Sequence, residues 1–215
     1  MVFNIHQRVF DKDGMQLEDK AREYQDQLLK LFEQSPEWQQ FWNEERSTGW
    51  AGMMIDFGLN YLSVTPPQMS PDHLREILFD IFPRKVSAPA DDAPDVIDEL
   101  QAFWKFLQRE FHLENAAACL TVLDEKAVRR LKKEMGDPAN FGIAKSFITM
   151  GMQRGFDMSS EEGINEWMKT YNAEIAANTA PRIPLPGEQN ENAQQFRSRL
   201  KRVSGKGRKK NRKRK

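Results

Sequence analysis

The chain has 215 residues, 39% of them hydrophobic, with fourteen Phe, five Trp and ten Met, enough large apolar side chains for a folded core and too many for a disordered polyelectrolyte. Its 32 Lys and Arg match 32 Asp and Glu in number, but Phe196 to Lys215 holds twelve basic residues and no acid, so residues 1–195 are formally −12 and the last twenty +12. Cys119 is the only cysteine, which excludes an intrachain disulfide and a thiolate metal cluster; with no secretory pattern and no apolar run near the roughly 20 residues of a membrane-crossing helix, a cytoplasmic protein is expected.

Residues 1–16 read as an N-terminal extension or hairpin, because FNIHQRVFDKDGMQL alternates loosely around Asp13 and Gly14, a pair suited to a tight turn. A calcium loop does not fit the DKDG stretch: aligning Gly14 to the sixth position places Val9 first and Lys20 twelfth, where carboxylates are needed. From 17 to 178 the pattern is helical. Leu17, Ala21, Tyr24, Leu28 and Leu31 share one stripe. Ser35 and Pro36 open a second helix with Trp38, Phe41 and Trp42 inward, and Trp50, Met53, Met54, Phe57 and Tyr61 predict a third, apolar nearly all round and therefore central. Ser70 and Pro71 start a fourth, striped by Leu74, Ile77, Leu78 and Ile81 and ending at Pro83.

Residues 87–94, SAPADDAP, form a loop by composition, and Val96, Leu100, Phe103, Leu107 and Phe111 predict a long helix after it. Shorter segments follow around Leu120 and Leu123, then Val128, Leu131 and Met135, stopped by Gly136 in a left-handed turn. Asp137 and Pro138 begin a helix with Phe141, Ala144, Phe147 and Ile148 inward. The last begins at a capping box of Ser159 and Glu162 and buries Ile164, Trp167, Met168, Tyr171 and Ile175. The expected fold is all-α: one irregular bundle of about eight helices over 17–178, with at most a short N-terminal β-hairpin. A Pro-rich linker spans 179–192, and 193–215 reads as a short basic helix and a disordered tail.

LFDIFPRKVS (78–87) and DPANFGIAKSFITMGMQRGFDM (137–158) resemble the corresponding stretches of a bacterial all-helical family to which no activity is attached. The resemblance covers most of 8–178, implies a helical fold, and carries over no functional residue.

His6, His73 and His112 are scattered and none lies in HxxxH, HExxH or ExxH, so zinc-protease and di-iron sites lack their ligands; no metal is expected. GxxxxGK[ST] is absent, and the only GxG, Gly205 to Gly207, has no strand before it, so no nucleotide or other cofactor is expected. Cys119, among alanines, reads as an inert packing thiol. An enzyme remains the alternative if a pocket were to join His112 or Cys119 to a carboxylate. The Trp38, Phe41, Trp42, Trp50 group reads as core in preference to a base-stacking platform, since its spacing is helical and Glu44 and Glu45 adjoin it. Lys126, Arg129, Arg130 and Lys133 fall on one helical face, read as solvated and steadied by Glu125 with Arg129 and Arg130 with Glu134.

The strongest functional signal is the C-terminus. Arg197, Arg199, Lys201, Arg202, Lys206, Arg208, Lys209, Lys210, Arg212, Lys213, Arg214 and Lys215 form an acid-free cationic stretch without a base-reading motif. That composition predicts non-catalytic, sequence-independent binding of RNA or DNA phosphates. The alternative partner is acidic protein surface, including the chain's own.

Overall fold

The computed structural model describes residues 3–177. The linker 179–192, the segment 193–215 and with it all twelve cationic residues just named lie outside the described residues. The described part is helical and divides into two compact units, one up to Gly136 and one from Asp137.

In the first unit, α1 (Glu18–Glu33) buries Ala21, Tyr24, Leu28 and Phe32, one residue in three or four, as its sequence period requires. Ser35 accepts a hydrogen bond from the Trp38 N–H and so opens α2 (Pro36–Phe41). The expected inward turn of Trp42 does not occur: α2 ends at Phe41 and Trp42, in extended backbone, is 49% exposed. α3 (Trp50–Tyr61) follows. Ser70 opens α4 (Pro71–Glu76) with a reciprocal cap, its hydroxyl accepting from the His73 N–H while His73 Nδ1 accepts from the Ser70 N–H.

The helix that should stop at Pro83 runs on. Proline has no N–H, and its ring would press on the carbonyl four residues back, that of Phe79. Residues Ile77–Ile81 instead make a wide π-turn in which the Phe82 N–H reaches the Ile77 carbonyl, and Pro83 enters in the first turn of α5 (Phe82–Lys85). α6 (Ala93–Phe111), α7 (Ala116–Leu120) and α8 (Glu125–Gly136) complete the unit. Gly136 ends α8 without a positive φ; left-handed residues follow other helices, Ser63 (φ 54°) after α3 and His112 (φ 52°) after α6.

The centre of the unit is α6, not α3. Val96, Ile97, Leu100, Phe103, Trp104, Phe106 and Leu107 are all buried, and α2, α3, α7 and α8 pack around them. Phe32 joins this core from α1, with ring centroids 5.1 Å from Phe103 and 5.2 Å from Trp38. Met53 and Tyr61 leave one side of α3 exposed, with the Lys85 ammonium 5.2 Å above the Tyr61 ring. At the N-terminus a single antiparallel bridge pairs Phe10 with Gln16 around Gly14, whose φ of 81° suits glycine; among the described residues no longer strand forms.

The second unit has two longer helices, α9 (Ile143–Gln153) and α10 (Glu161–Ala176). Ser160, not Ser159, caps α10 by accepting from the Gly163 N–H, because the Ser159 hydroxyl is turned to Asp157 at 2.5 Å. Trp167 is fully buried, donates from Nε1 to the Phe147 carbonyl at 2.9 Å, and lies within 5.5 Å of the Phe147, Phe156 and Tyr171 rings. Gly163 and Trp167 define a narrow inward arc. Met168 and Ile175, expected on it, lie on its flank and stay 45% and 52% exposed.

Two glycines hold this packing. A Cβ on Gly151 would lie 2.8 Å from Trp167 Cδ1 and run into the Met158 side chain; one on Gly163 would strike the Asp157 backbone, its carbonyl carbon 2.8 Å away. A methionine can move, the buried Trp167 ring less so, and a backbone least of all. Gly163→Ala is therefore expected to cost about 2 kcal/mol or more and Gly151→Ala about 1, and unfolding midpoints in denaturant should rank wild type, G151A, G163A from highest to lowest.

Candidate functional site

The most organised polar cluster of the first unit lies where α6 faces the loop leading into α3. Gly49, in the left-handed conformation, precedes α3 and has no side chain to cap it. Glu99 supplies the missing acceptor from α6: Oε2 takes the Gly49 N–H at 3.0 Å and Oε1 the Ala51 N–H at 2.8 Å. One turn back, Asp95 accepts from the Ser47 N–H, and Arg46 donates to Asp98 at 2.8 Å with Asp95 at 3.5 Å. The Ser47 carbonyl accepts from Trp50 Nε1. These three carboxylates are positioned on backbone and on one arginine, an arrangement that builds a loop. Burial raises the Glu99 carboxyl above the usual range, against the lowering effect of its N–H donors.

The candidate nucleophile is sealed. Cys119 is buried with Sγ 3.7 Å from the Met69 carbonyl oxygen, and burial pushes its thiol up to about 12. His73 is spent in the α4 cap, His6 is exposed near the N-terminus, and His112 terminates α6. The structure brings none of the three to Cys119 by any hydrogen bond, and among the described residues no three His, Cys, Asp or Glu side chains gather as a metal site. No described helix is long and apolar enough to cross a membrane.

Of the three histidines, His6 lines one of the surface clefts. One of about 390 Å³ runs along residues 6–11 and Thr65, Pro67 and Gln68; another, of about 220 Å³, lies over Glu37, Arg46, Asp98 and Lys105. Of the aromatic group weighed as a stacking platform, Trp50 is buried, Trp38 packs edge-on against Phe32, and Trp42 alone is open. Lys145, in the second unit, is buried beneath the face of Phe141 at 4.0 Å, and its ammonium is lowered to about 8 by desolvation.

On α8 the expected cationic face is present. Ala127, Leu131 and Met135 turn inward, and Lys126, Arg129, Arg130 and Lys133 are exposed. Arg129 meets Glu125 at 3.6 Å, beyond good hydrogen-bond length. Arg130 stacks 4.0 Å over Phe79, and Lys132, outside that row, pairs with Asp91 at 2.5 Å, which holds that carboxyl below its usual range. α5, which carries the exposed Arg84, packs against α8. The spacing made this face legible; the Glu99 cap was not, although 99 stands three residues after Val96 and four before Phe103 on the buried stripe. A carboxylate there is the signal that could have found it.

The chain matches no protein-family model, no curated protein and no solved structure.

Glu99→Ala leaves the α3 amides unsatisfied in the interior and should lower stability by about 3 kcal/mol. Because the folded pKa is raised, the folded state holds this proton after the unfolded chain has lost it. The Glu99 contribution to stability therefore falls as pH rises from the usual glutamate value through the raised one. Denaturation of wild type and Glu99→Gln from mildly acidic to neutral pH should show wild type losing ground to the variant with rising pH. Ellman's reagent should leave the native Cys119 thiol untouched and titrate one thiol after denaturation.

Proposed function

We propose that this chain is a nucleic-acid-binding protein that holds RNA or DNA phosphates, without base readout and without a catalytic step, through its basic C-terminal residues, Arg197 to Lys215. One observation carries the reading: twelve cations and no acid in the last twenty residues, against an excess of twelve acids in the rest. A stretch so composed is attracted to any dense row of phosphates, and nothing in it distinguishes one base from another. If roughly six to eight phosphates are neutralised, log K should fall against log salt with a slope of about −4 to −7.

A second reading has its own support. On α10, the last described helix, Glu161, Glu162 and Glu166 line an open cleft with Asn165 and Lys169. The basic residues have an acidic partner there if no nucleic acid is present. In that case polyanion binding competes with a contact inside the protein, and apparent affinity depends on both.

Fluorescence anisotropy of random-sequence RNA and DNA over a salt series checks the reading. The full chain should bind both, at similar strength, with the slope above; changing Arg208, Lys209, Lys210, Arg212, Lys213 and Arg214 to Gln should remove about half of that slope. Binding that ignores salt, or that survives those changes undiminished, excludes it.

A further inference from the structure

The geometry points to a second phosphate-contacting surface, on the folded first unit itself: the row Lys126, Arg129 and Lys133 of α8, flanked by Arg84 of α5, which seats a stretch of nucleic-acid backbone. It deepens the proposed function by adding a fixed contact to it, and it does not require the C-terminal residues to bind.

The row is built on a rigid element. Lys126 to Lys133 spans seven residue steps, about 10.5 Å of helix at 1.5 Å per step, the length of about three phosphate steps of a duplex strand at about 3.4 Å of axis each. Among the described residues Lys126, Lys133 and Arg84 have no ion-pair partner, and Arg129 has only the long contact to Glu125. Arg130 and Lys132 bound the row on either side, each engaged elsewhere, one on the Phe79 ring and the other on Asp91. Exposed cations cost little to pair with phosphate here, since the long Arg129–Glu125 contact is the one bridge among them that has to break.

A nucleic acid is the occupant by charge complementarity: its backbone is a continuous row of anions facing several cations along one exposed side of a helix, and it is the ligand the proposed function already supplies. The test uses four full-length proteins: wild type, Lys126→Gln with Arg129→Gln and Lys133→Gln, the six C-terminal Gln changes given above, and the two sets together. Gln, Lys and Arg have similar helix propensity, so α8 should persist, and unchanged helical circular dichroism and unfolding midpoint confirm it. Binding of a short random-sequence DNA duplex is followed over a salt series, with polyglutamate as the competing polyanion. The α8 changes should reduce the magnitude of the salt slope by about two to three, whether or not the C-terminal changes are present. If the C-terminal changes alone leave binding intact, the reading of that segment fails while the α8 result still decides this one. An α8 set that leaves the slope unaltered in both backgrounds overturns it, as does an equal loss of polyglutamate binding.

Discussion

A carboxylate inside the core fixes how the first unit is put together. Helix α3 begins at a glycine with no side chain able to satisfy its first amides, and the acceptor comes from Glu99, 48 residues beyond Ala51 along the chain. A buried, unpaired carboxylate would be costly, and so would buried helix-start amides without acceptors. Each cost is removed only when α3 and α6 stand in one relation. The apolar stripes could slide by a turn and still bury similar area; the Glu99 cap cannot, so it sets register where hydrophobicity only sets proximity. Asp95 and Asp98, each one turn or less from Glu99 on the same helix, then fasten the incoming loop through Ser47 and Arg46.

That division of labour explains which features the sequence disclosed. Where structure is decided by neighbours in sequence, the expectation holds: the Ala21, Tyr24, Leu28 stripe, the serine caps at 35 and 70, and the long helix through Phe103 are all where spacing places them. Where it is decided by distant partners or by competition between adjacent groups, local rules mislead. Pro83 should end a helix, but a π-turn four residues earlier absorbs its missing amide. Ser159 has the capping spacing and loses to Ser160 because Asp157 takes its hydroxyl. An apolar composition made α3 look central, yet α6, with a buried glutamate in it, is the helix surrounded on more sides.

The candidate surface shows the same contrast. The α8 cations are legible from intervals of three and four, because only α8 is needed to align them. Arg84 is on α5, which tertiary packing sets against α8 after the π-turn, and no interval in the sequence relates 84 to 129. The cationic residues from 197 onward carry the strongest charge signal in the chain, and lie outside the described residues.

The two proposed contacts differ in what they can contribute. A cationic stretch identified by composition neutralises many phosphates but prescribes no orientation. A row of charges on α8 would neutralise few, yet Leu131 and Met135 are buried and α8 packs against α6, so the backbone that carries those few is fixed in place. On binding, such a row loses side-chain freedom but no backbone freedom, whereas a stretch without fixed backbone loses both. Combined in one chain, the first would govern how readily a polyanion is captured and the second how it lies on the protein, which requires neither base contacts nor a pocket.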